Sequence, residues 1–574
     1  MSNDILGYEC KFAVHIPSRH NDTPDIHLIK EQVHKKDGTI VPNIRFVKNY
    51  ERPYWITRQN KRNYKQKKEW ESEDNLLKKM TTQSNLRYEV AKALGKQWSK
   101  ESLKELSNSP YLFGTDISST ALIKKQYQDK FPNLQSAYTI CTFDVETDVL
   151  YGTNEVIMAS AVFKDKAVIS VVGSFVTGLA SIEENFFIKV NRYIKEYVDK
   201  YNLKIEFHIG SDLVDTIKHV FSRIHEWKPD FLAIWNMDFD IPKVMSNLEA
   251  YGVDPKDVFS DPIVPSEYRI CKYKQGPKKK KTASGVVKPI NPALQWHTLI
   301  STSSFYVIDA MCAYKHIRIT QQEESSYALD AILQKHLGIR KLKFKEADQY
   351  SGLKWHQFMQ ANYKLEYMVY NLFDSLSMIE LDNEIKDLAY TLPSFAGISD
   401  FSDFKSQPKR IADALHFFIL ENERKVLGTV GRQIVEDNTP VDTSIDEENP
   451  PEADDSETDD KQESTTLGLD GWIVTLPAHL TVNGMHCVLE DSSIYSNIRA
   501  FVYDSDAVSA YPTATSITNV SKETTKRELI SIKDIDEEIF RAQNLNLVLG
   551  RINAIEYCTT MFNMPKPEEL LDIM

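Results

Sequence analysis

The stretch 137–309 most constrains what this chain can fold into, because it alternates strand-like and helical hydrophobic patterns. Tyr138, Ile140, Cys141 and Phe143 form a β-favouring, largely apolar run, as a buried strand requires. Ala167–Phe175 and Lys204–Ile209 are further expected strands. In Ser211–Trp227, Leu213, Ile217, Val220, Phe221 and Ile224 fall on one helical face, with Ser211 or Asp212 as the cap. Phe231–Trp235 and Ser304–Ala310 read as short buried strands, the second ending in Asp309. Such alternation predicts an α/β domain, whose sites gather at the carboxyl ends of its strands.

Acids stand at those ends. Asp144 and Glu146, separated only by Val145, share one face of the first strand and are hard oxygen ligands suited to Mg²⁺ or Mn²⁺. An isolated Asp-x-Glu pair is common by chance, and it gains meaning only where further acids recur on elements that can converge with it. Asp238 and Asp240 follow Phe231–Trp235 within Asn236–Pro242, which reads as another acid-bearing strand end. Asn362–Lys386 is the longest helical pattern, with Leu365, Met368, Leu372, Leu376 and Ile379 inward. On it Tyr370 and Asp374 are four apart and share a face. Ser326–Leu337 is a further helix, stopped by Gly338.

At 574 residues several cores are expected, about three or four domains by length. The net charge of −13 would discourage a nucleic-acid partner if it were spread evenly. However, thirteen acids against one base lie between Glu436 and Glu463, so −12 of it is local. Residues 439–466 are poor in large apolar side chains and are expected to be a disordered linker. Basic clusters lie elsewhere. Residues 50–68 interleave Tyr54, Trp55 and Tyr64 with Arg52, Arg58, Lys61, Arg62, Lys65, Lys67 and Lys68, a pattern that suits stacking on bases or a solvated basic face. Residues 272–281, with Lys278, Lys279, Lys280 and Lys281, form a basic run that suits a loop or hairpin on a phosphate backbone, a merely solvated loop or, as a third option, a nuclear-import patch. The six cysteines include no C-x-x-C pair, which argues against a zinc site and, in a chain this long, against a disulfide framework. No apolar run is long enough to span a bilayer and Met1–Tyr8 lacks a signal-peptide pattern, so a soluble, intracellular protein is expected.

With these residues in place, the chain resembles the family B DNA polymerases, particularly those of bacteriophages. Asp144 and Glu146 resemble the first exonuclease motif, Asn236–Pro242 the second, and Tyr370–Asp374 the third. The segment 326–344 resembles a stretch that precedes the third motif. Asp506–Pro512, reading DAVSAYP, resembles the first polymerase motif. The second motif is one residue shorter than the family pattern between Asn236 and Phe239. Anchoring on Phe239 selects Asp240 as ligand over Asp238.

The resemblance implies an α/β plus α+β multidomain protein. Its parts are an N-terminal domain (1–136), a ribonuclease H-like 3′–5′ exonuclease domain (137–390), a helical connection (391–438), the acidic linker and a partial palm (467–574). It implies two Mg²⁺ or Mn²⁺ ions held by Asp144, Glu146, Asp240 and Asp374, with Tyr370 orienting water, and DNA contacts from Asn236, Phe239 and the lysines 278–281. It further implies that Asp506 holds metal for nucleotidyl transfer, with Ala507, Val508, Ser509, Ala510 and Tyr511 against the incoming dNTP. No fingers motif and no Asp-Thr-Asp motif follows Tyr511. The implied partners are therefore primer-template DNA, single-stranded 3′ ends and a second, C-terminal polymerase polypeptide, with a sliding clamp as a further candidate. A free-standing 3′–5′ DNA exonuclease with a vestigial palm is the alternative expectation.

Overall fold

The computed structural model describes residues 4–18, 23–98, 100–281 and 287–429, together with the paired short strands Thr481–Val482 and Met485–His486. The chain divides into two units, 1–457 and 458–574, and the division falls inside the acidic segment. The expected palm residues Asp506, Ala507, Val508, Ser509, Ala510 and Tyr511 lie outside the described residues.

In the N-terminal part, β1 (Ile5–Ile16), β2 (Ile26–Lys35) and β3 (Ile40–Lys48) form an antiparallel sheet. A second sheet pairs β4 (Glu51–Thr57) with β5 (Leu76–Thr82) and β6 (Leu112–Phe113). This part corrects the base-stacking reading of residues 50–68. Tyr54 and Trp55 are fully buried in the core, and Arg52 is fully buried with its guanidinium donating to Gln83 and to the Gly114 and Thr115 carbonyls. A buried guanidinium must find acceptors, and here the turn after β6 supplies them. The described chain also returns to this part, because Lys425–Leu427 pairs with Trp70–Ser72.

The large sheet is mixed and eight-stranded. Its strands are β7 (Ile140–Thr147), β8 (Val156–Phe163), β9 (Lys166–Val172), β10 (Lys204–Gly210), β11 (Phe231–Ile234), β12 (Cys271–Lys274), β15 (Thr298–Ser301) and β16 (Tyr306–Asp309). Between β12 and β15, β13 (Lys279–Lys281) and β14 (Val287–Pro289) form a separate ribbon. The order across the sheet is β10-β9-β8-β7-β11-β16-β15-β12. β8 runs antiparallel to both β7 and β9, while β11 runs parallel to both β7 and β16.

Helix α1 (Leu213–Trp227), capped by Asp212, covers one face and buries Leu213, Ile217, Val220, Phe221 and Ile224 against Cys141, Phe143 and Val145. A long helix, Lys364–Ile385, covers the opposite face. On it, every residue from Glu366 to Asp382 is buried, so the expected single inward stripe was too narrow. The helix packs between the sheet and further helices, so its polar side is enclosed as well.

Candidate active site

Period matching between a strand and a helix builds the site. Along β7, Thr142, Asp144 and Glu146 point to the face covered by the long helix, while Cys141, Phe143 and Val145 point into the core beneath α1. Thr142 Oγ1 donates to the Ser375 carbonyl at 2.7 Å, Asn371 Nδ2 donates to Asp144 Oδ2 at 2.7 Å, and the Tyr367 hydroxyl donates to Glu146 Oε2 at 2.5 Å. Two residues of strand span about 6.6 Å and four residues of helix about 6.0 Å, so an antiparallel helix stays in register through three rungs. Ser160 and Ser375, bonded at 2.9 Å, let the helix approach closely.

Asp374 and Tyr370 occupy the adjacent row of the same helix. One ligand oxygen from each of Asp144, Glu146 and Asp374 lies within 4.8 Å of the others. Asp240 enters from α2 (Met237–Ala250), where it is 2% exposed. Here the structure differs from the sequence expectation, because Asn236–Pro242 turns into a helix rather than ending a strand. Asn236 adopts a left-handed conformation, φ 68°, and its side chain caps nothing. The cap comes instead from Asp309 at the end of β16, whose carboxylate accepts the Met237 N–H at 2.8 Å. That long-range cap was not legible locally.

The electrostatics separate Asp240 from Asp238. Burial, then repulsion from Glu146, pushes the Asp240 carboxyl well above its usual range. Asp144 rises well above its range through burial and then repulsion from Asp240, Asp374 and Glu146. Burial lifts Glu146 to about 7, despite the Tyr367 hydrogen bond. Asp374 is also raised by burial, against the pull of Lys341. Asp238 turns away and accepts from Tyr273 at 2.7 Å and Gln275 at 2.5 Å, with Lys278 at 3.1 Å. These donors hold it below the usual range, against a desolvation that works the other way.

Several site residues were not singled out from the sequence. Lys341 Nζ donates to Asp374 Oδ2 at 2.6 Å and lies 3.3 Å from the Tyr370 hydroxyl. Although burial works against its charge, Asp374, Tyr370 and Asp144 hold its pKa well above the ordinary value. Lys243 stands beside Asp240 and Glu146 and lies 3.5 Å over the exposed Phe239 ring. His356 Nδ1 is 2.8 Å from the Tyr367 hydroxyl, behind Glu146. Gln360 bonds the Thr147 carbonyl and the Val149 and Leu150 N–H groups, fixing the chain as it leaves β7. Helical i, i+4 spacing from Asn371 was the one available signal for Tyr367, whereas Lys341 sits in a loop that no periodicity reaches.

The lysines 278–281 lead into and form the ribbon strand β13, with Lys279 and Lys280 exposed. Asn236 lines an open pocket of about 280 Å³ with Asn291, Glu324 and Ser326.

The donor set fits divalent ions of the Mg²⁺ or Mn²⁺ kind. It is all carboxylate oxygen, and Asp374 Oδ1 is buried with no hydrogen-bond partner. Acids packed this closely repel one another, and among the described residues Lys243 and Lys341 are cations set against them. No protein-family model and no curated protein matches the chain. Among the described residues, no helix is long and apolar enough to cross a membrane.

Proposed function

We propose that this chain is a 3′–5′ DNA exonuclease acting on single-stranded 3′ ends, as the proofreading part of a family B DNA polymerase. The observation that carries the reading is the carboxylate cluster of Asp144, Glu146 and Asp374, with Asp240 among its mutually repelling neighbours. The sheet supports a ribonuclease H-like fold for residues 137–390. With β10, β12 and β15 set aside as added edge strands, the remaining five lie, numbered in chain order, as third-second-first-fourth-fifth, and the acids stand on the central first strand.

Asp144, Glu146, Asp240 and Asp374 would hold two Mg²⁺ or Mn²⁺ ions. Such ions, when bound, make a nucleophile from water at neutral pH and stabilise the leaving 3′ oxygen. The protein's own groups do the positioning. Burial and then Asp374 keep Tyr370 protonated, and its hydroxyl orients the attacking water. Lys341 places a fixed positive charge against Asp374, where negative charge accumulates on the substrate. Phe239, Asn236 and the lysines 278–281 are the proposed DNA contacts, with the ring stacking on an unpaired base and the ammonium groups meeting phosphates.

The polymerase reading adds primer-template DNA, dNTP, a C-terminal polypeptide and a sliding clamp as partners, and gives Asp506–Tyr511 the nucleotidyl-transfer role. The decisive experiment incubates the full chain with Mg²⁺ and a 5′-labelled single strand. Stepwise shortening from the 3′ end is expected, and a combined Asp144→Ala and Glu146→Ala substitution abolishes it. Unchanged degradation by that variant would overturn the assignment. Primer extension upon mixing with a separate Asp-Thr-Asp polypeptide would favour a split polymerase over a free-standing exonuclease.

A further inference from the structure

A second donor cluster lies behind the carboxylates. His297 precedes β15, Asp309 ends β16, and Cys312 lies in the first turn of the helix Ala310–Ile317. They are 3%, 1% and 0% exposed. One donor atom from each lies within 4.8 Å of the others. Nitrogen, carboxylate oxygen and sulfur together make a donor set suited to Zn²⁺, unlike the all-oxygen set of the candidate active site.

The independent observation is at His297. Its Nε2 is buried without a hydrogen-bond partner. Its Nδ1 lies 3.2 Å from both the Tyr273 hydroxyl and the Gly276 N–H. Tyr273 already donates its own proton to Asp238 at 2.7 Å, so its oxygen can accept from an Nδ1–H. That tautomer leaves the Nε2 lone pair free, in the manner of metal-bound histidines oriented through their other ring nitrogen. In the opposite tautomer Nδ1 accepts the Gly276 N–H and Nε2–H is buried with no acceptor; each tautomer leaves one buried N–H unpaired, and only the first offers a lone pair to a cation.

We propose that His297, Asp309 and Cys312 form a structural Zn²⁺ site. On binding, the Cys312 thiol loses its proton to solvent. The thiolate and the Asp309 carboxylate then cancel the two metal charges, leaving a neutral buried group. The Pro292 carbonyl, which accepts the thiol S–H at 3.4 Å, is released and becomes a candidate fourth ligand. The metal would tie β15, β16 and the helix Ala310–Ile317 together behind the first turn of α2, where Asp309 also holds the Met237 N–H. The site does not depend on the exonuclease reading.

The test uses the full, untagged chain, loaded with zinc and dialysed against a weak chelator. About one zinc per chain is expected by mass spectrometry, in the native protein and equally in the Asp144→Ala, Glu146→Ala variant. His297→Gln and Cys312→Ser lose it, whereas Cys312→Asp, which restores a charged ligand, retains it. Loading with Co²⁺ gives a thiolate charge-transfer band in the native protein that Cys312→Ser and Cys312→Asp both lack. Near-ultraviolet circular dichroism identifies variants that keep the native packing, and only those are scored. A native chain without zinc, or folded His297→Gln and Cys312→Ser variants with undiminished zinc, overturns the proposal.

Discussion

Two carboxylates on one helical turn, Asp238 and Asp240, live in opposite environments. Asp240 faces Glu146 and Asp144 and is driven up by burial and like charge. Asp238, two residues earlier, is held down by Tyr273, Gln275 and Lys278. Asp238, with side-chain donors on both oxygens, is a finished structural contact. Acids crowded together with an oxygen left over, as at Asp374 Oδ1, keep free energy that a cation can release. A carboxylate's partners, rather than its place in a motif, therefore decide which acid belongs to the site.

The contrast breaks most sharply under paired substitution. Asp240→Asn is expected to lower Mg²⁺-dependent degradation of single-stranded DNA by about 10²–10³-fold, the scale of losing one preorganised charge-stabilising group. Asp238→Asn is expected to leave it within a few-fold, and equal losses would erase the distinction. Lys341→Met comes next. Removing a group that braces a ligand costs about 10–100-fold. With its counter-charge gone, the acids rise further, so the acidic limb of the pH–activity profile moves to higher pH.

Stability gives an independent reading without substrate. The folded-state Glu146 pKa of about 7 lies above its unfolded value of 4.5. Between those values the unfolded chain gives up its proton while the folded chain keeps it. Stability is therefore lost as pH rises through that window, by roughly 3 kcal/mol at most. In chelator at pH 8, Glu146→Gln should consequently unfold at a higher temperature than the native chain, and Mg²⁺ should reverse the order. Equal midpoints in chelator would mean that the acids are not strained. The smallest effect is expected at the ribbon. Alanine at Lys279 and Lys280 should weaken single-stranded DNA binding and reduce its salt slope by about 0.7 for each phosphate no longer neutralised, with catalysis at saturating DNA unchanged.

Much of the large domain was legible because its elements are periodic. The helix Leu213–Trp227, the strand around Asp144 and the long helix through Asp374 lie close to where their patterns put them, since burial of one face writes a period into the sequence. The turn at Asn236 was misread because its cap is supplied by Asp309. The aromatic and basic stretch near Trp55 was open to misreading because buried rings and exposed cations look alike in one dimension.

By itself the sequence determined which acids exist, their spacing and the elements that carry them, because strand and helix periods are local properties of the backbone. Only the tertiary structure decided which acids meet. The register of the long helix against β7 matched Asn371 and Tyr367 to Asp144 and Glu146, brought Lys341 to Asp374 and turned Asp238 away. Those meetings join side chains far apart in the chain, and such proximity is set by packing, which no local pattern encodes.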